Sequence, residues 1–290
     1  MTANTPKTFD LDVEDVEYLR HEDKPLLARL FKPRGTGPFP LVVEVHGGAW
    51  CNGDRLNDAI INEPLARSGV VVAALDFRMP PQAGYPASLA DINYAIRWLK
   101  TRAVEFRSKP DMVGALGVSS GGHQALLLAM RPRDPRYSAL PLRATDFDGS
   151  LRCVVMCWPV IDPLGRYHYA KKLKQGGKPY PDLVDQVLPC HDQYWQTEDA
   201  MAEGSPVRAL ERGERVELPP VICLQGTRDQ AHPRPDIDRF VENYRRAGGQ
   251  VELALFEGET EGFIKRNAGS PAAAQAMEKI IEFIHREISG

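Results

Sequence analysis

No apolar run in this 290-residue sequence approaches the ~20 residues that a bilayer-spanning helix needs, so a membrane span is excluded on length alone. The opening residues, Met1-Thr-Ala-Asn-Thr-Pro-Lys7, hold no apolar stretch of leader length, which makes a cytoplasmic protein the expectation. An excess of either charge is also missing: 36 basic against 39 acidic residues leave a formal net charge of -3. Such a chain has no broad positive field with which to release counterions from a polyanion, so nucleic acid is a poor partner. Cysteines are few and odd in number (Cys51, Cys153, Cys157, Cys190 and Cys223), and they are scattered mostly in apolar runs. Buried reduced thiols are expected rather than a disulfide framework. The expected partners are therefore a small-molecule substrate and, at most, a second copy of the chain in a homodimer.

What is present suits an ordinary globular core, with 43% hydrophobic and 26% charged residues. Residues 9–31 alternate apolar and charged side chains as a half-exposed hairpin does. Short apolar runs follow at 39–46, 70–75, 112–118, 153–160, 220–225 and 251–256, each suited to a buried strand. Between them Leu89, Ile92, Ala95, Ile96 and Leu99 recur at helical spacing, with Ser88 or Asp91 placed to cap. Further helical patterns lie at 121–130, 236–247 and 271–288. Alternation of this kind predicts a single α/β domain over 1–290: a mostly parallel, twisted sheet of about eight strands with helices on both faces. The stretch 162–206, rich in Tyr, Lys, Gly and Pro, breaks the rhythm and reads as a cap insertion over the carboxyl edge of the sheet.

Gly117-Val118-Ser119-Ser120-Gly121 fits the pattern G-x-S-x-G, and it follows a strand and opens a helix. A sharp strand-to-helix turn presents the serine hydroxyl at its apex, with glycines allowing the backbone to close around it. The helix also aims its positive end at charge that develops during acyl transfer. Ser119 is therefore the candidate nucleophile of an α/β-hydrolase fold.

His46-Gly47-Gly48-Ala49-Trp50 ends the earlier strand, where an oxyanion loop is needed. Together with residues 117–122 it resembles the hormone-sensitive-lipase-like and feruloyl-esterase-like esterases, a branch that includes kynurenine formamidases. That resemblance runs from about Phe39 to the C-terminal helix. It implies an oxyanion hole made of N–H groups from Gly47, Gly48, Ala49 and Ser120, with His46 holding the loop. It also makes Asp229, at the end of Val221-Ile-Cys-Leu-Gln-Gly-Thr-Arg-Asp229, the catalytic acid.

The same resemblance places the catalytic histidine on the turn after the last strand, just before a Gly-Phe pair. This sequence has Glu257-Gly-Glu-Thr-Glu261-Gly-Phe263 there, so glutamate stands where the base is expected. After Asp229 the remaining histidines are His232 and His285, and His285 falls on the terminal amphipathic helix, where a solvent-facing position is expected. Three arrangements satisfy these residues. His232 could reach the pocket from the acid loop and complete a relocated triad, since the roles do not depend on chain order. Glu261 could serve as base if burial or Asp229 raises its pKa, which opens elimination or isomerisation. Alternatively, the pocket could bind without turnover.

Trp50, Trp158, Tyr194, Trp195 and Phe263 are candidate substrate-pocket side chains, although aromatics in an insertion also build its own small core. His123, in the first turn after the serine, reads as structural. His191, Asp192, Asp182 and Asp185 fit no strong ligand spacing, so neither a metal nor a cofactor is expected. The leading function is hydrolysis of a small carboxylic ester or related amide through an acyl-enzyme on Ser119. A lyase or isomerase using Glu261, or a binding protein, are the alternatives.

Overall fold

A computed structural model describes residues 8–143 and 146–289, so the leader expectation at residues 1–7 lies outside the described residues. The chain forms β1 (Leu11–His21), β2 (Lys24–Pro33), β3 (Leu41–Val45), β4 (Val71–Leu75), β5 (Val113–Val118), β6 (Val154–Cys157), β7 (Val221–Gly226) and β8 (Val251–Phe256). They make one eight-stranded sheet in the order β1-β2-β4-β3-β5-β6-β7-β8. β1 and β2 pair antiparallel, β2 joins β4 antiparallel, and the rest are parallel. This is the α/β-hydrolase fold.

The central strands are apolar on both faces because both are covered. Leu41, Val43 and Val45 belong to one core cluster with side chains of α2 (Ala87–Thr101), α3 (Ser120–Met130) and α8 (Arg234–Arg246). Val42 belongs to the other, with side chains of α1 (Ala59–Arg67) and α10 (Pro271–Ser289). The period-two alternation of a strand thus feeds two separate helix layers. α2 forms where its apolar spacing predicts, but neither Ser88 nor Asp91 caps it: its N-cap is Pro86. Ser88 Oγ instead lies 2.7 Å from Tyr194 Oη, and Asp91 accepts hydrogen bonds from Arg78 and pairs with His21. Tertiary partners outcompeted the local cap.

The insertion is helical: α4 (Pro163–Gln175), α5 (Leu183–Trp195) and α6 (Glu198–Glu203), followed by α7 (Pro206–Glu211). A short α9 (Phe263–Arg266) precedes α10. His285 is half-buried with Nε2 3.1 Å from the Ser68 carbonyl, a correction to its expected solvent-facing place. All five cysteines are free, three of them buried in strands or at their margins and Cys51 and Cys190 half-buried. Among the described residues no helix is long and apolar enough to cross a membrane.

An ion cluster ties α7 and α8 to the N-terminus of α4. Buried Asp162 accepts from Arg208 at 2.8 Å and pairs with Arg239 at 3.2 Å. Asp236, on the first turn of α8, is pushed up to about 6 by burial and by the neighbouring Asp162 charge. Its folded-state pKa thus exceeds its ordinary value of 3.8, and the folded state holds the proton more tightly. The corresponding stability is fully present below about pH 4 and is lost as pH rises through about 6, a difference of up to about 3 kcal/mol. Asp236→Asn is expected to raise Tm relative to the parent by a few degrees at pH 7.5 and by much less at pH 4.5, measured by thermal denaturation.

Candidate active site

Parallel strands bring their carboxyl ends to one edge, and the loops leaving β3, β5, β7 and β8 meet there. Ser119 sits between β5 and α3 with φ 53° and ψ -116°. A non-glycine residue in this region carries about 1–3 kcal/mol of strain. The turn can close because Gly121 lacks a side chain: a Cβ there would lie 1.9 Å from the Val45 carbonyl oxygen. The result is a sharp strand-to-helix turn with Ser119 at its apex, the residue 8% exposed.

The loop after β7 supplies both remaining members of a hydrogen-bonded chain. His232 Nε2 is 3.1 Å from Ser119 Oγ, and His232 Nδ1 is 2.9 Å from Asp229 Oδ2. With the ring neutral, Nδ1–H donates to the carboxylate and Nε2 accepts from the serine hydroxyl. Asp229 Oδ1 accepts from the backbone N–H groups of Ala231 (2.7 Å) and His232 (3.1 Å), so one carboxylate both shapes the turn and orients the ring. Gln225 Nε2 donates to the His232 carbonyl at 2.8 Å and fixes the loop from β7. Burial alone would raise the pKa of Asp229, but the His232 ring and these N–H donors outweigh it and hold the carboxyl below its usual range. Asp229 thus also caps the local turn before Pro233.

Glu261 lines the same cavity as Ser119, yet its carboxylate pairs with Arg266 Nη2 at 2.7 Å. Among the described residues it makes no hydrogen bond to Ser119 or Asp229. Of the two side chains that the sequence offered as base, the structure brings only His232 into contact with the hydroxyl.

The loop after β3 passes beside the Ser119 turn. Gly48 has φ 113°, and a Cβ there would lie 1.9 Å from the Asn52 carbonyl oxygen, so glycine is required. Gly47, Gly48 and Ala49 line the cavity with Ser119. The N–H groups of Gly48, Ala49 and Ser120 donate to no backbone acceptor among the described residues. The Ser120 side chain has a use the sequence did not suggest: its Oγ accepts from Trp50 N–H at 3.1 Å and ties the loop to α3. Trp50 Nε1–H donates to His123 Nδ1 at 3.2 Å, and His123 Nε2–H donates to the Gly204 carbonyl at 2.8 Å. Burial pushes His123 down to about 4, so it is a neutral structural link. His46 is buried with Nδ1 2.7 Å from the Gly47 carbonyl and its ring stacked on Phe77, as a loop-holding residue would be. Ser120→Ala keeps the backbone N–H but frees the loop. It is expected to lower kcat for a p-nitrophenyl ester by about tenfold with little change in KM, measured by steady-state kinetics.

The cavity has a volume of about 600 Å³, within the usual range for small-molecule sites. Of the five aromatic side chains expected to line it, Trp158 does. Trp50, Tyr194 and Trp195 instead form a buried core beneath the cap, with Trp50 and Tyr194 stacked at 5.5 Å and Trp50 and Trp195 edge-on at 5.5 Å. Phe263 is buried behind Trp158, their ring centroids 5.6 Å apart. These large rings gain more from packing on each other than from facing a wet cleft. The cap instead contributes Arg166, Leu183, Gln186, Val187 and Cys190 to the wall. None of these carries a sequence signal for the role, because periodicity cannot tell which face of a cap helix covers the pocket.

Comparison with known proteins finds similarity to esterases. The BD-FAE family model matches residues 30–240. The chain is 26% identical over 259 residues to Esterase LipC of Mycobacterium tuberculosis, covering 88% of this chain and 61% of that protein. It is 33% identical over 265 residues to Carboxylic ester hydrolase LipN of the same organism, covering 90% and 67%. These curated relatives are thus longer than the present sequence. A thermophilic esterase of Thermogutta terrifontis, Est2, with butyrate bound, superposes with a TM-score of 0.75 at 26% identity over 94% of both chains. The same esterase has been solved phosphonylated by sarin, with a TM-score of 0.75 at 25% identity over 94% of both chains.

Proposed function

The chain belongs to the BD-FAE family, and from that premise we propose that it hydrolyses small carboxylic esters through an acyl-enzyme on Ser119, with His232 as the base. The observation that carries this reading is the unbroken run from Ser119 Oγ to His232 Nε2 and from His232 Nδ1 to Asp229 Oδ2. Ser119 attacks the ester carbonyl as His232 Nε2 takes its proton, and Asp229 stabilises the imidazolium that forms. N–H groups of Gly48, Ala49 and Ser120, with Gly47 beside them, receive the oxyanion, each such donor being worth about 3–4 kcal/mol of barrier. The C–O bond breaks and the alcohol leaves with the proton from His232. Water then gives a proton to His232, attacks the acyl carbon and releases the acid, and the proton returns to Ser119.

On this reading the resemblance-derived base position at 261 has been vacated and its role moved to the acid loop. The pairing of Glu261 with Arg266 counts against a Glu261-based lyase or isomerase, and the complete hydrogen-bonded chain counts against a site that only binds. Treatment with a p-nitrophenyl alkylphosphonate tests the proposal. Loss of p-nitrophenyl butyrate hydrolysis in step with one mass adduct on the Ser119 peptide is expected, because an unactivated hydroxyl stays unmodified. Full activity after stoichiometric exposure, or an adduct elsewhere, contradicts it.

A further inference from the structure

Arg166, on α4, is 3% exposed and lines the cavity with Ser119. Its Nε and Nη1 are buried without a hydrogen-bond partner among the described residues. The carboxylates that could neutralise it are committed elsewhere. Asp229 is held by His232 and two backbone N–H groups, Asp162 by Arg208 and Arg239, and Glu261 by Arg266. Burial pushes Arg166 down to about 10 despite the fields of Asp229 and Glu261, which leaves it protonated at neutral pH. Burying a guanidinium without an acceptor is costly, and an anionic ligand that reached it would offset that cost. Elsewhere on the wall Lys265 and Arg266 add two cations, each with a carboxylate partner, and Glu261 is the one anion. Among the described residues Arg166 is thus the cation of the wall without an ion-pair partner.

Resting on the ester-hydrolase reading above, we propose that Arg166 is a specificity residue that selects esters bearing a second, free carboxylate. The planar fork of a guanidinium matches a carboxylate in two parallel hydrogen bonds, which a neutral alkyl group of the same size cannot supply. A short half-ester of a dicarboxylic acid then places its scissile carbonyl at Ser119 and its free carboxylate toward α4. Its binding supplies the missing acceptor as it fixes the substrate for attack.

Two measurements test this separately from ester hydrolysis itself. Monomethyl succinate and methyl pentanoate, an anionic and a neutral ester of similar length, are compared by pH-stat kinetics in the parent, Arg166→Gln and Arg166→Lys. The parent is expected to favour the anionic ester in kcat/KM. Arg166→Gln is expected to reduce the anionic-to-neutral ratio by about 10- to 100-fold, and Arg166→Lys to give an intermediate ratio. Succinate is then titrated calorimetrically into Ser119→Ala and into Ser119→Ala with Arg166→Lys, whose retained charge protects against misfolding. Binding in the first and at least fivefold weaker binding in the second is expected. Turnover of methyl pentanoate with no preference for the half-ester, and no succinate binding, overturns the anion site and leaves the hydrolase. Succinate binding through Arg166 without turnover of either ester supports the anion site and overturns the hydrolase.

Discussion

Replacing His232 by alanine is expected to lower kcat/KM for p-nitrophenyl butyrate by about 10⁴-fold or more, whereas Glu261→Gln is expected to stay within tenfold of the parent. The asymmetry follows from contact. His232 Nε2 lies 3.1 Å from the attacking hydroxyl, and without an acceptor there the serine must ionise unaided or lose its proton to water. Removing the histidine of such a unit costs nearly as much as removing all three members. Among the described residues Glu261 makes no hydrogen bond to Ser119, His232 or Asp229, and the amide that replaces its carboxylate keeps a hydrogen-bond acceptor for Arg266. Steady-state kinetics on the two variants, with circular dichroism to verify folding, provides the check.

Asp229→Asn is expected to lower kcat by about 10³- to 10⁴-fold at neutral pH. An amide can present its N–H to His232 Nδ1, which favours the tautomer whose Nε2 already carries a proton and cannot accept the serine's. Asp229 has a second task, since its Oδ1 receives the Ala231 and His232 N–H groups. The oxygen of the new amide can still accept those two bonds, so the turn should survive while the chemistry fails. Tm within a few degrees of the parent, alongside the loss of kcat, separates a tautomer effect from a collapsed loop. The depressed pKa of Asp229 gives the acid limb: its folded-state value lies below the unfolded one. The stability it contributes is present above the ordinary aspartate range and lost as pH falls through the lowered value.

Much of the architecture could be read from the residues. The hairpin and the six parallel strands appear because alternation, and then fully apolar runs, are what half-covered and doubly covered strands require. α1 is obscured: Pro64 lies inside it, and buried Asn62, whose side chain donates to Glu44, interrupts the short apolar face of Ile61, Leu65 and Ala66. α4 is similarly obscured, carrying Lys171, Lys172 and Lys174 with few buried apolar positions.

In the site, the turn at Ser119, the glycine loop after β3 and the place of Asp229 after β7 were legible because each is a local motif joined to a strand end. The choice between His232 and Glu261 was not, because both follow Asp229 in sequence and only the path of the loop decides which side chain meets Ser119. Four of the five predicted pocket aromatics turned inward for the same reason: ring type signals burial, not what the ring faces. Arg166 was invisible, since the sequence gives no sign that an arginine on a lysine-rich helix is 3% exposed.

Chemical rescue of His232→Ala tests the central claim most directly. Imidazole added to this variant fills the space left by the side chain, and p-nitrophenol release from p-nitrophenyl butyrate is expected to rise saturably with imidazole concentration, well above the imidazole-only background. The same addition to Ser119→Ala should do nothing. If His232→Ala instead hydrolyses the ester at the parent rate without imidazole, the proton acceptor lies elsewhere and the relocated triad is wrong.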